Sequence, residues 1–384
     1  MSGEHTERLL PDSTGDPVSF ARTSAPVGRF ARWRMMLMTF LGLTALLTLS
    51  ACGGATSNGS GGATTPGDTP SSTSSGSSNT GGPVTATDNG DGTITVQHSQ
   101  GTTEVPANPE KVFVFDLGVM DTMNAIGVQP AGVPEAQYPE SLQGIAEGAE
   151  KIGAMKEPDF ETIATSGPDL IITSGRTAEA YGELSKIAPT VNLAVDMTNP
   201  LESFEANAKV IGTIFGKTEA VDGKLRGIEG KIEDARSTLK EAGKGSGLIV
   251  LTSAGEVTAY GSGSRFGLIH DLLGIPTAAD VKAEGAHGES ISFEYIAETN
   301  PDLLFVIDRD AATGEGGQAA DAVLDNDLVN GTNAARNGDI IQLDPTNWYV
   351  VGYGLNSLPQ MINQVVNGVV TESTTGGTDT ISDN

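Results

Sequence analysis

The sequence predicts an α/β protein built as two similar lobes joined by a long rigid helix, with a ligand cleft between the lobes. Three observations predict it. From Val84 onward, apolar strand-like runs alternate with helix-like stretches. One helix–turn–strand unit occurs twice. Between the two copies lies a stretch whose apolar residues recur at helical period.

The chain has 384 residues and a formal net charge of −27. Its start does not read as fold. Residues 29–52 are RFARWRMMLMTFLGLTALLTLSAC. Arg29, Arg32 and Arg34 flank an apolar run that is short for a membrane-spanning helix, which is the layout of an export signal. The leader ahead of Arg29 is long for such a signal. The ending Leu49-Ser50-Ala51-Cys52 resembles the bacterial lipoprotein box. That resemblance implies a diacylglyceryl group on the Cys52 sulfur and cleavage that leaves Cys52 first. The alternative is an uncleaved anchor with an incidental cysteine. Removing residues 1–51 takes away five basic and four acidic side chains and leaves a charge of −28, so the acidity belongs to the exported part.

Residues 53–82 are mostly Gly, Ser, Thr and Asn, a composition that buries too little surface to offset its ordering entropy. As a Gly/Ser coil this segment spans about 30 Å and reads as a tether. The expected organisation is therefore a signal with a long leader at 1–51 and a lipidated cysteine with its tether at 52–83. An N-terminal lobe at 84–217, an inter-lobe helix at 218–243 and a C-terminal lobe at 244–370 follow, then an unstructured tail at 371–384.

Residues 84–105 alternate like a hairpin around the turn sequence Asn89-Gly90-Asp91-Gly92. Residues 111–115 (KVFVF) read as a buried strand, followed by a helix at 117–126. The repeat comes next. Residues 158–176 are PDFETIATSGPDLIITSGR and residues 291–309 are ISFEYIAETNPDLLFVIDR. They share Phe160 with Phe293, Glu161 with Glu294, Ile163 with Ile296, and Pro168-Asp169-Leu170 with Pro301-Asp302-Leu303. In each copy an arginine, Arg176 or Arg309, follows the glutamate by 15 residues. Each copy predicts a short helix opened by the glutamate, a Pro-Asp turn, a buried strand, and an arginine just past the strand's C-terminal end. In open, Rossmann-like sheets that end is where ligands bind. Two such lobes facing each other would bring both arginines to one cleft. A helix–Pro-Asp–strand piece is common by itself; the matched spacing carries the inference. Helices are expected at 201–215 and 218–242, the second weakened by Gly223, Gly227 and Gly230 and so dependent on tertiary packing.

Several chemistries are excluded. A net negative chain lacks the basic surface that nucleic acid requires. One cysteine leaves no disulfide framework, Cys-rich zinc site or CxxC pair. The stretch 212–218 (GTIFGKT) imitates a phosphate loop but is one residue short and follows a helix; Gly216 reads instead as a helix C-cap. No serine-hydrolase elbow and no HExxH are present, so no enzyme is expected. Of the histidines beyond the signal, His98 falls in the hairpin and His270 in an expected helix at 266–273. His287, in a Gly-flanked loop, is the one placed like a ligand, although such a histidine is more often merely solvated.

Arg176, Arg265 and Arg309 each fall in a loop after an apolar strand. Singly, each could be a surface ion pair. Together they would form a cationic patch suited to a planar, delocalised anion.

The segments 112–120 (VFVFDLGVM), 157–163 (EPDFETI), 172–176 (ITSGR), 259–267 (AYGSGSRFG), 287–295 (HGESISFEY), 305–310 (FVIDRD) and 344–349 (DPTNWY) resemble the ferric-siderophore-binding lipoproteins of ABC importers. These are the class III, helical-spine substrate-binding proteins, and the likeness is to the catecholate subgroup for petrobactin or enterobactin fragments. It covers residues 93–369. The resemblance implies that Arg176, Arg265 and Arg309 hold the anionic chelate. It implies that His287 and Tyr349 could complete the iron shell, and that Glu161 and Glu294 dock on permease arginines. Packing beside Trp348 is the plain alternative for Tyr349, and charge at a helix N-terminus is the plain alternative for the glutamates. The ferric siderophore would be transported cargo, with no permanently bound cofactor. The partners would be a permease and its ATPase, and the membrane through the lipid. The protein would act as a monomer on the outer face of the cytoplasmic membrane, at a Gram-positive cell surface. Haem, a hydroxamate siderophore or cobalamin in the same cleft is the alternative cargo. A surface adhesion lipoprotein is the alternative class.

Overall fold

The computed structural model describes residues 83–282 and 288–371. The export signal, Cys52, the tether, His287 and residues 372–384 lie outside the described residues.

The opening alternation forms three strands rather than one hairpin: β1 (Thr85–Asp88), β2 (Thr93–His98) and β3 (Gly101–Pro106), in an antiparallel meander. The first turn uses Gly90 and Gly92 at positive φ, and the Asp88 and Asp91 carboxylates accept from the Gly90 and Thr93 amides.

The first lobe continues through β4 (Val112–Val114), α1 (Leu117–Ala125), β5 (Gly132–Glu135), α2 (Glu140–Glu147), β6 (Glu150–Ala154), α3 (Phe160–Ser166), β7 (Leu170–Thr173), α4 (Tyr181–Leu184) and β8 (Thr190–Asn192). All five strands of its sheet are parallel, in the order β6-β5-β4-β7-β8. Both faces are covered, so the strands are apolar throughout. Val112, Val114, Leu170 and Ile172 enter the main core, while Phe113, Phe115 and Ile171 fill a second cluster on the other face.

Helices α5 (Pro200–Ile214) and α6 (Thr218–Ala242) follow. Gly216 takes φ +59° after α5 and the Lys217 amide returns to the Gly212 carbonyl, a helix end and not a phosphate loop. In α6 the residues Val221, Leu225, Ile228, Ile232, Ala235 and Leu239 are buried, one stripe at helical spacing. Gly223, Gly227 and Gly230 lie on its exposed side.

The second lobe runs through β9 (Gly247–Ser253), β10 (Glu256–Tyr260), β11 (Glu289–Ile291), α7 (Phe293–Thr299), β12 (Leu303–Asp308), α8 (Arg309–Thr313), α9 (Ala320–Leu324), α10 (Asp327–Asn330), α11 (Asn333–Asn337) and β13 (Ile340–Gln342). Its sheet has the order β11-β10-β9-β12-β13. Here one wing is antiparallel: β9 turns into β10 through Ala254 and Gly255, both at positive φ. Strands β9, β12 and β13 are parallel. The expected helix over 266–273 is shorter and wider, a π-helical turn over Leu268–Leu272.

A π-helical turn over Thr346–Val351 and the closing helix α12 (Ser357–Thr371) complete the described chain. Helix α12 packs on α6. It extends one residue past the expected end of the lobe, to Thr371. The Asp121 carboxylate of α1 accepts from the Asn356 and Ser357 amides at 2.7 and 3.0 Å, capping α12 from the first lobe. Burial pushes that carboxyl above its ordinary range while these bonds pull it back. At Gly118 an added Cβ would lie 2.5 Å from the Tyr353 carbonyl oxygen and 2.9 Å from that of Val351. A side chain there would hold the two segments apart.

The repeat has a structural reason. Asp159 and Ser292 cap α3 and α7, and the left-handed residues Gly167 and Asn300 end them. The Pro-Asp carboxylates then tie each following strand to the start of its central neighbour. Asp169 accepts from the Lys111 amide at 2.8 Å, and Asp302 from the Ser246 amide at 3.0 Å. The strands so tied, β7 and β12, are the ones at which each chain path crosses to the other side of its sheet.

Candidate functional site

In each sheet the strand order reverses at one place: between β4 and β7, and between β9 and β12. Ligands of open α/β sheets bind outside the C-terminal ends of strands at such a place. Arg176 follows β7 and Arg309 follows β12. Arg265 follows β10, in the turn that leads into the Leu268–Leu272 π-helical turn. Two local expectations are corrected. Arg176 lies in a 3-10 turn over Gly175–Ala180. Arg309 is the first residue of α8 and not a loop residue, because the Asp308 carboxylate accepts from the Ala311 amide and starts the helix at once.

The structure brings all three arginines to Tyr349. Arg176 Nη1 donates to the Val350 carbonyl at 2.9 Å, and its Nη2 donates to the Tyr349 carbonyl. Arg265 Nη2 donates to the same Tyr349 carbonyl at 2.8 Å. Arg309 Nε donates to the Tyr349 hydroxyl at 3.1 Å. Their guanidinium carbons lie 5.7, 4.7 and 5.8 Å from the centre of the Tyr349 ring, in the order Arg176, Arg265, Arg309. All three side chains are half-buried.

The position of Tyr349 is fixed from behind. The Asp344 carboxylate accepts from the Asn347 amide at 2.8 Å. Trp348 is 2% exposed, and its indole donates to Gln364 on α12 at 2.8 Å. Asn347 donates to Gln360 of the same helix at 3.0 Å. Trp348 thus anchors the turn and Tyr349 faces the arginines. A π-helical turn widens the backbone by one residue and recurs at functional sites.

The electrostatics differ within the cluster. Burial, and next the neighbouring Arg176, hold Arg265 below the ordinary guanidinium range. Arg309 is pushed up, chiefly by its bond to Tyr349 and then by Glu315. Glu315 accepts from Arg309 Nη1 at 2.9 Å and Nη2 at 3.3 Å. Ser253, the last residue of β9, accepts from Arg309 Nη1 at 2.9 Å and donates to Asp310 at 3.0 Å. Each guanidinium carries five donors, so the cluster retains hydrogen-bonding capacity beyond these contacts. Such a group can grip a planar anion by charge-assisted bonds and by stacking.

Ser253, Glu315 and the Val350 carbonyl are site groups that sequence reasoning missed. The signal for Ser253 was available, since it ends the central strand at the crossing point. A carbonyl oxygen carries no residue signature.

Glu161 and Glu294 stand apart from the cluster, exposed in the first turns of α3 and α7. Bonds from its own amide and from Ser292 hold the Glu294 carboxyl low. His98 is buried in β2, where the Gln100 amide donates to its Nδ1 and its Nε2 donates to Thr103. Burial lowers it to about 4. The His270 Nδ1 lies 2.8 Å from the Ile275 carbonyl oxygen. Among the described residues, no group of three or more His, Cys, Asp or Glu is placed to hold a metal ion.

The chain's relatives share this architecture. The sequence profile of the family described as periplasmic binding protein matches residues 112–346. The petrobactin-binding protein YclQ of Bacillus subtilis is 44% identical over 282 residues, 72% of this chain and 88% of that protein. Its crystal structure superposes with a TM-score of 0.70 at 43% identity, covering 72% of this chain and 99% of that one. The ferric-anguibactin-binding protein FatB of Vibrio anguillarum is 30% identical over 72% of this chain and 87% of its own length. The catecholate-siderophore binding protein VctP of Vibrio cholerae superposes with a TM-score of 0.66 at 32% identity, over 73% of this chain and 99% of that one. Two α/β lobes bridged by a long helix, the matched profile and these identities lead to one conclusion: the chain belongs to the periplasmic binding protein family.

Proposed function

We propose that this protein captures an anionic ferric siderophore of catecholate type outside the cytoplasm and delivers it to an ABC importer. The observation that carries the reading is the convergence of Arg176, Arg265 and Arg309, from both lobes, on Tyr349. Three guanidinium groups in a chain of net charge −27 mark a site for an anion. The names of the relatives, which bind petrobactin, ferric anguibactin and catecholate siderophores, support the choice of cargo.

The mechanism is capture and release, with no covalent reaction of the cargo. The arginines neutralise the chelate's charge, and half-burial strengthens each contact relative to water. The Tyr349 phenol faces the same space and is the group through which the protein could reach the metal. Glu161 and Glu294, one on each lobe and both exposed, would present the loaded lobes to arginines of a permease served by an ATPase. Cys52 would carry the lipid that holds the protein, as a monomer, at the outer face of the cytoplasmic membrane.

A fluorescence titration tests this. In protein beginning at Cys52 the remaining tryptophan is Trp348, one residue from Tyr349. Ferric mono- and bis-catecholates should quench it saturably, and ferrioxamine and haem should not. Quenching by haem or ferrioxamine alone would overturn the catecholate reading. Replacing Glu161 and Glu294 together should abolish uptake with binding intact; lost binding would make them structural.

A further inference from the structure

Glu315 stands in an unusual place for a protein that binds anions. It occupies two terminal nitrogens of Arg309, at 2.9 and 3.3 Å, while the third nitrogen holds the Tyr349 hydroxyl. The loop that carries it, residues 314–317, reads Gly-Glu-Gly-Gly. Gly314 takes φ +70°, and a Cβ there would lie 1.9 Å from the Gln137 amide nitrogen. Gln137 belongs to the first lobe, between β5 and α2. Gly317 lies against the Asp310 carboxylate, where a Cβ would come within 2.3 Å of an oxygen. Gly314 ends α8 in the left-handed region and Gly317 packs on the buried Asp310, while the Glu315 side chain remains mostly exposed. A carboxylate is the right size and charge to stand in for one edge of an anionic ligand.

We propose that Glu315 is a displaceable counterion that sets the anion selectivity of the arginine site. An anionic chelate must expel it to reach Arg309, so Glu315 holds down affinity for anionic ligands and leaves a neutral chelate untouched. Because the loop rests on Gln137, that exchange also touches the contact between the lobes. This inference rests on the anion-binding reading of the site.

The test is to titrate wild type, Glu315→Gln, Arg309→Gln and the double variant with a ferric bis-catecholate and with a neutral ferric tris-hydroxamate. Glu315→Gln should bind the ferric bis-catecholate about two- to fivefold more tightly, the range for an exposed ion pair. The gain should vanish in the Arg309→Gln background, and affinity for the neutral chelate should not change. Unchanged or weaker bis-catecholate binding in Glu315→Gln, or the same gain without Arg309, would overturn this proposal alone. Wild-type protein that binds neither chelate would overturn the transport reading and this proposal with it.

Discussion

The two lobes carry the same helix–turn–strand unit, yet the arginine after each strand is held differently. Arg176 donates to two main-chain carbonyls of the Thr346–Val351 turn. Arg309 donates only to side chains: Tyr349, Ser253 and Glu315. The difference begins in the sheets. The first is wholly parallel, and its crossing point is filled by Asp116, which accepts from Ser174. In the second, β9 turns straight back into β10, so Ser253 and Asp310 meet at the crossing point and the glycine-rich loop can fold over Arg309. One arginine is thus built into the scaffold, while its counterpart is held by side chains that can exchange. Arg265 resembles Arg176 in binding a carbonyl.

The largest effect expected from breaking this symmetry is on stability, through the paired Pro-Asp carboxylates. Asp169→Ala and Asp302→Ala each remove charge-assisted bonds to backbone amides and should cost about 1.5–3 kcal/mol. Each accepts a second bond at 3.1 Å, Asp169 from the Glu110 amide and Asp302 from the Asn333 side chain; Asp302 should cost more, since it is half-buried and Asp169 is exposed. Denaturant unfolding of both variants checks the order.

The next effect separates the N-terminal meander from the lobes. His98 is held at about 4 in the folded protein by burial, against an ordinary value of 6.5. The unfolded chain therefore binds more protons below pH 6.5, and stability falls as pH drops from 6.5 toward 4. The loss between pH 7 and 4.5 should be about 2 kcal/mol from this residue. A His98→Gln variant, compared with wild type across that window, should show a flatter profile.

The smallest effect concerns the joint itself. An Ala at Gly227 or Gly230 meets nothing within 4 Å, and at Gly223 only the Arg226 guanidinium at 3.9 Å. Each substitution should stabilise the protein by about 0.5–1 kcal/mol. A rise in melting temperature checks it. Loss of stability would mean that these glycines serve a bend in α6.

Much of this organisation was legible in the sequence because it rests on periodicity and repetition. The stripe from Val221 to Leu239 gave α6 its buried face. The shared Glu-to-Arg spacing placed Arg176 and Arg309 at equivalent strand ends. What was hidden depends on backbone atoms and on chain reversal. Tyr349 is a hub largely through its carbonyl, and π-helical turns leave no simple period to read. Glu315 meets Arg309 because glycines turn the chain back, which six residues of sequence do not announce. The start of α8 at Arg309 follows from Asp308, whose capping role is clear only once its partner at Ala311 is seen. The antiparallel wing was likewise hidden, because strand direction is set by the Ala254-Gly255 turn and not by the apolar pattern of β10.

On the proposed reading, three arginines from two lobes grip one anion. Isothermal titration of a ferric bis-catecholate into wild type and into Arg176→Ala, Arg265→Ala and Arg309→Ala tests it most directly. Each variant should lose about 1.5–3 kcal/mol, tenfold or more in affinity. Arg309→Ala should lose least, because Glu315 is released with it. Unchanged affinity in all three variants would contradict the account.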